Sequence, residues 1–191
     1  MKFFRDPVLE SMATRRSVSK VGPETPTDAE LAELLTAVTP VADHKALRPW
    51  RLILLRGDDR IRLAEALDAA EGVTREPGEI NPKPFRAELL IAVVASPTEH
   101  PKVPEWEQQA TAAGAAHLLE LALWQAGWGV MWRTGLLTNS PEVRAAHGLD
   151  DTEFLMGWLY VGDIEESFRQ RMAESRRPAL DSLSFLGHLP R

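Results

Sequence analysis

The feature that most constrains this chain is the stretch from Glu105 to Ala126, the longest helical pattern in the sequence and apolar on nearly every side from Ala110 onward. A helix of that kind has no solvent face. It must be packed all round, against its own chain and, in a protomer of 191 residues, partly against a second copy of itself. Leu89 to Ala95 is a continuous apolar run, the pattern of a buried central strand. Further strands are expected at Trp50–Leu55, Gly129–Trp132 and Phe154–Val161, and further helices at Asp6–Ala13, from Thr27 to about Val38, at Asp59–Ala70 and after Ser140. Thr27-Asp28-Ala29-Glu30 is a capping box, and Pro7 stands at a first helical position after the cap residue Asp6. Paired helices at the start break the alternation of a doubly wound sheet, which favours an α+β fold. The length fits one domain over residues 1–191, of which about 167–191, polar and containing Pro178 and Pro190, reads as a C-terminal arm. There is no internal repeat.

Composition removes several classes of function. The net charge of −6 leaves no basic footprint for nucleic acid. Local cationic clusters such as Arg15-Arg16 and Arg176-Arg177 therefore need a local explanation, such as a phosphate. The chain has no cysteine, which excludes disulfides, thiolate catalysis and cysteine metal sites and fits a reducing cytoplasm. No window approaches the roughly 20 apolar residues needed to span a bilayer, and the first residues carry no secretory signal. The five histidines are scattered without ligand spacing, so no metal site is expected.

Three segments carry candidate chemistry. Arg15-Arg16-Ser17 puts two guanidinium groups and a hydroxyl in a row where a helix hands over to an extended segment, a set that suits a phosphate monoester. The same residues also fit a basic helix C-terminus that complements the macrodipole. His44 lies between Asp43 and Lys45, after Pro40 ends a helix. On its own it reads as a surface loop residue, because no serine or cysteine is placed to complete a triad with it. Trp132-Arg133-Thr134-Gly135 follows a strand and brings a charge and a hydroxyl to the sheet end, although a solvated strand-end arginine is the simpler local reading. Gly127-Trp128-Gly129 is not a dinucleotide fingerprint, since the glycines follow a helix and precede a strand, the reverse of the required order. Six tryptophans fit core and interface anchors, with room for one or two to flank a planar ligand.

Taken together and in order, Arg15-Arg16-Ser17, Asp43-His44-Lys45 running to Pro49-Trp50-Arg51, Lys102 to Gln108, Trp132 to Gly135 and Ser140 to Arg144 resemble the nitroreductase family, in particular its compact bacterial NAD(P)H nitroreductase branch. The resemblance runs from about Leu9 to about Gly162. It implies an α+β sandwich with a central mixed sheet between helices, built as an intertwined homodimer with FMN at the interface. It also implies that Arg15, Arg16, Ser17, Trp132, Arg133 and Thr134 bind the flavin from one chain and His44 from its partner. The resemblance further implies a nicotinamide contact at the helix end matching Ala122 to Gly127. The sequence departs from the family pattern at Ser19, Pro40, Ala42 and Arg48, where Lys20 and Arg48 are the substitutes at hand for a lost flavin contact.

The function so implied is an FMN-dependent oxidoreductase. NAD(P)H reduces the flavin, and a nitroaromatic, quinone or similar small acceptor then takes the electrons in a ping-pong hydride transfer. The flavin carries the chemistry, so no catalytic side chain is expected. The alternative is a flavin-binding dimer with a different family reaction or with no turnover.

Overall fold

The computed structural model describes residues 6–174 and 181–189. Arg176, Arg177, Pro178 and Pro190 lie outside the described residues. The chain forms helices α1 (Pro7–Thr14), α2 (Asp28–Val38), α3 (Asp58–Glu71), α4 (Glu105–Gln125), α5 (Pro141–Ala146) and α6 (Glu166–Glu174). Its strands are β1 (Trp50–Leu55), β2 (Leu89–Ala95), β3 (Trp128–Arg133) and β4 (Phe154–Asp163). Asp6 caps α1 by accepting from the Val8 and Leu9 amides. Thr27 and Glu30 close the capping box on α2, and Ser140 caps α5 through the Val143 amide.

The strands lie in the order β1-β2-β4-β3, so β3 is an edge. β2 is buried at every position, as its unbroken apolar run requires. Its side chains divide with period two. Leu89, Ile91 and Val93 join the core beneath α2 and α4, whereas Leu90, Ala92 and Val94 join the core beneath α3 and α5. Each large aliphatic side chain buried there contributes about 1.5–3 kcal/mol. The result is a three-layer α+β sandwich.

One expectation changes. All three pairings are antiparallel, so the sheet formed by the described residues is not mixed. The reason is topological. β2, α4 and β3 form a crossover whose two strands run the same way, but β4 inserts between them and pairs antiparallel with both. The region read as an arm begins with a helix, α6, and includes a short 3-10 turn at Ser182–Phe185.

The burial of α4 is also more one-sided than its composition suggests. Gln108, Thr111, Ala112, Ala115, Ala116, Leu119, Glu120 and Leu123 face inward. Trp106 is 68% exposed and Leu118 38%, and with Ala110 and His117 they form an uncovered stripe along the opposite side.

Candidate functional site

The segment after α1 runs beside the open edge of the sheet. The Val18 amide donates to the Val130 carbonyl of β3 at 2.8 Å, and the Gly22 amide donates to the Asp163 carbonyl of β4 at 2.9 Å. This places Arg15, Arg16 and Ser17 next to the strand that ends in Trp132 and Arg133. The three residues then diverge. Arg15 points to α4, with Nη1 3.9 Å from Glu120 Oε1. Arg16 folds back, and its Nη1 donates to the carbonyls of Thr14 (2.9 Å) and Arg15 (3.4 Å). Ser17 is exposed.

Strand alternation separates Trp132 from Arg133. Trp132 lies on the α4 side, where its ring meets His117 edge-on at 5.1 Å between centroids. Its Nε1 donates to the Met156 carbonyl at 3.0 Å. That carbonyl is presented by a bulge. Val94 pairs with Leu155 and Ala92 with Trp158, so Met156 and Gly157 together oppose Val93. Gly157 takes φ +112° there, and an added Cβ would overlap the Arg133 carbonyl oxygen and come within 2.8 Å of Thr134 Cγ2. The glycine is thus what lets the Trp132–Thr134 backbone pass so close to β4.

Arg133 lies on the opposite face. Its guanidinium stacks 5.3 Å above the Tyr160 ring, and Nη2 donates to the Ser19 carbonyl at 3.0 Å. Its Nε is buried with no hydrogen-bond acceptor among the described residues. Arg133 and Thr134 line a cleft of about 700 Å³ floored by Met131, Trp158 and Tyr160, with Lys83, Arg86 and Glu71 also on its walls. Lys83 is paired with Glu71, which leaves the two arginines to make the cleft cationic. Burial pushes the Tyr160 phenol up, opposed by the charges of Arg133 and Arg86.

His44 is elsewhere. Its Nδ1 lies 2.8 Å from Glu107 Oε1 near the start of α4, whereas Arg15 and Trp132 meet the later residues Glu120 and His117. Glu107 and His117 stand about 15 Å apart along the helix. Its loop is unusual. Lys45, Ala46 and Arg48 all take positive φ without being glycine, and the Asp43 carboxylate holds the turn by accepting from the Leu47 and Arg48 amides at 3.1 and 2.7 Å. Non-glycine residues in that region are strained, and such strain clusters at functional sites.

The sequence reading missed Glu120 and His117. Glu120 is 3% exposed, and its second oxygen, Oε2, lies 3.1 Å from His117 Nδ1. Arg15, Glu120, His117 and Trp132 therefore form one continuous chain of contacts. The available signal was an acid at i+3 from a histidine inside an otherwise apolar helix.

An α+β sandwich with a cationic, aromatic-floored cleft at a strand end offers room and charge for an anionic ligand. The model of the nitroreductase family matches residues 12–163, and the chain belongs to that family of oxidoreductases. It is 37% identical over 158 residues to the Escherichia coli (strain K12) protein named "Putative NAD(P)H nitroreductase YdjA", covering 81% of this chain and 86% of that one. The crystal structure of a nitroreductase-like family protein from Bacillus cereus superposes with a TM-score of 0.77 at 22% identity, covering 96% of this chain and 95% of that one. A Bacteroides fragilis nitroreductase with bound FMN superposes with a TM-score of 0.73 at 18% identity, covering 97% of this chain and all of that one. At those identities the superpositions establish the fold. Among the described residues, no helix is long and apolar enough to cross a membrane.

Proposed function

We propose that this protein is an FMN-dependent, cytoplasmic homodimeric oxidoreductase. It uses NAD(P)H to reduce nitroaromatics, quinones or similar electron-poor small molecules by ping-pong turnover. The observation that carries the reading is Arg133, whose Nε is buried without an acceptor at the wall of a roomy cleft, beside the Trp132 and Thr134 segment. A buried donor left unpaired costs about 1–3 kcal/mol, so a ligand that supplies an acceptor there is favoured. The bound FMN of the Bacteroides fragilis nitroreductase and the NAD(P)H in the name of the Escherichia coli relative support the choice of cofactor and donor.

The residues present fit FMN. Arg15 and Ser17 would take the phosphate, and Trp132 would offer an aromatic face. Arg133 and Thr134 would offer hydrogen bonds at the ring edge, and His44 would reach the flavin from the partner chain. Arg16, turned onto its own backbone, is a weaker candidate than Arg15. When bound, the flavin supplies the hydride chemistry, and the chain's task is to orient the ring, exclude water and hold the phosphate. Reduction of the acceptor at the same face requires the nicotinamide to leave first.

The test is a spectrum and a titration. The purified protein, supplied with FMN, should show a flavin absorption band that bleaches on anaerobic addition of NADH or NADPH and returns on addition of a quinone. A protein that binds no FMN, or binds it and does not bleach with either nucleotide, would refute the proposal.

A further inference from the structure

We propose that the cleft lined by Arg86 and Tyr160 binds a small aromatic acid through its carboxylate, and that the electron acceptor belongs to this class. The inference rests on the reductase reading and names the chemistry of the acceptor. The cleft lies on the α3 and α5 face of the sheet, away from the uncovered stripe of α4, so covering that stripe does not cover the cleft. Its floor is apolar and largely aromatic, made by Met131, Trp158 and the Tyr160 ring, and suits a planar ring.

The polar groups above that floor are donors in want of an acceptor. Tyr160 is 5% exposed, yet its hydroxyl makes no hydrogen bond among the described residues. Burial pushes the phenol up, so it keeps its proton at neutral pH and donates. Arg86 is exposed on the cleft wall, makes no ion pair or hydrogen bond among the described residues, and its charge reaches the Tyr160 phenol. An exposed arginine alone is commonly just solvated. The buried hydroxyl without a partner beside it is what marks the site. Lys83 on the same wall is neutralised by Glu71, the one carboxylate among the described lining residues, so no free anion competes. Arg133 is taken by the proposed flavin edge, which leaves a guanidinium and a phenol for a second molecule. A carboxylate matches both, accepting from the arginine fork and from the phenol. A neutral amide on the same ring can still accept from Tyr160 but leaves Arg86 unmatched.

Calorimetric titration of the purified protein with benzoate and with benzamide, its neutral counterpart, tests the cleft without turnover. Benzoate should bind roughly tenfold more tightly than benzamide. Arg86→Gln should remove that gap by weakening benzoate alone, and Tyr160→Phe should weaken both ligands. Equal binding of the two ligands by the parent, or a benzoate preference that survives Arg86→Gln, overturns the proposal. So does a Tyr160→Phe protein that binds both as the parent does. In the flavin-loaded protein, the kcat/KM ratio of 4-nitrobenzoate to 4-nitrobenzamide should likewise fall about tenfold in Arg86→Gln. An unchanged ratio overturns the assignment of the acceptor. A benzoate preference abolished by Arg86→Gln, in a protein whose flavin neither nucleotide bleaches, would support the anion site and refute the reductase reading instead.

Discussion

Gly157→Ala is expected to damage the candidate site from the far side of the sheet. Gly157 is the second residue of the bulge in β4 and sits at φ +112°, a conformation that strains any residue with a Cβ. That strain alone costs about 1–3 kcal/mol. The new methyl would also overlap the Arg133 carbonyl and approach Trp132 Nε1 to 3.0 Å. Relieving the overlap means moving the Trp132–Thr134 backbone and giving up the Trp132 hydrogen bond to Met156, a further loss of about 1 kcal/mol. The total is about 2–4 kcal/mol, and for a domain of this size each kcal/mol lowers Tm by about 2–4 °C. Thermal unfolding followed by circular dichroism should therefore show a Tm about 10 °C below the parent, with a changed near-ultraviolet tryptophan signal. Gly135→Ala is the control, because a Cβ there meets nothing within 4 Å, and its Tm should match the parent. If Gly157→Ala melts with the parent and keeps its tryptophan spectrum, the account of the bulge is wrong.

Two pH effects follow from groups outside the site. Glu153 is 7% exposed and accepts from Arg51, Ser96 and the Asp150 amide, which together hold its carboxyl down at about 2, from an ordinary 4.5. Its contribution is present above pH 4.5 and lost as pH falls toward 2. It amounts to about 2 kcal/mol after allowing for the partly solvated Arg51 head. Urea midpoints of parent and Glu153→Gln should accordingly differ at pH 6, with the gap narrowing as pH falls below 4.5, and a constant gap would contradict this. His147 donates from Nδ1 to the Val143 carbonyl and accepts at Nε2 from the Trp158 indole, and burial holds its imidazole below the ordinary 6.5. Protonation is therefore favoured in the unfolded chain, and stability should fall as pH drops below 6.5. An NMR titration in which His147 charges at or above that value would refute the assignment.

Much of the fold is legible in the sequence because its signals are local. The unbroken run Leu89–Ala95, the capping box at Thr27 and the Ser140-Pro141 start each depend on a few adjacent residues, and each element forms where those residues place it. What depends on pairing was less legible. The strand order that inserts β4 between β2 and β3 has no local signature, so an all-antiparallel sheet was not foreseen. For the site, the tripeptides mark the backbone but not the side-chain directions. Nothing in Arg15-Arg16-Ser17 tells which arginine turns to α4 and which turns back to its own carbonyls. Glu120 and His117 went unrecognised because an apolar helix was read by its majority. The minority charge in such a helix is where a buried partner should be sought.

The uncovered side of α4 bears on the role of His44. In the homodimer we propose, two copies meet through the stripe of Trp106, Ala110, His117 and Leu118. A two-fold axis crossing the helix at right angles makes the two α4 helices antiparallel, as a self-complementary interface allows. The Glu107 region of one copy then lies beside the Glu120 region of the other. His44 rests on Glu107, and Arg15 and Trp132 rest on Glu120 and His117, so the partner's loop arrives where one protomer's own loop is about 15 Å away along the helix. A mixed dimer separates the two arrangements. One chain carries Arg15→Ala and the other His44→Ala. If His44 acts across the interface, both lesions fall on one flavin site and the heterodimer retains one site of parental affinity. If His44 acts within its own chain, each site carries a lesion. Two equally impaired sites in the purified heterodimer would show that the helices do not bring His44 to the partner's flavin.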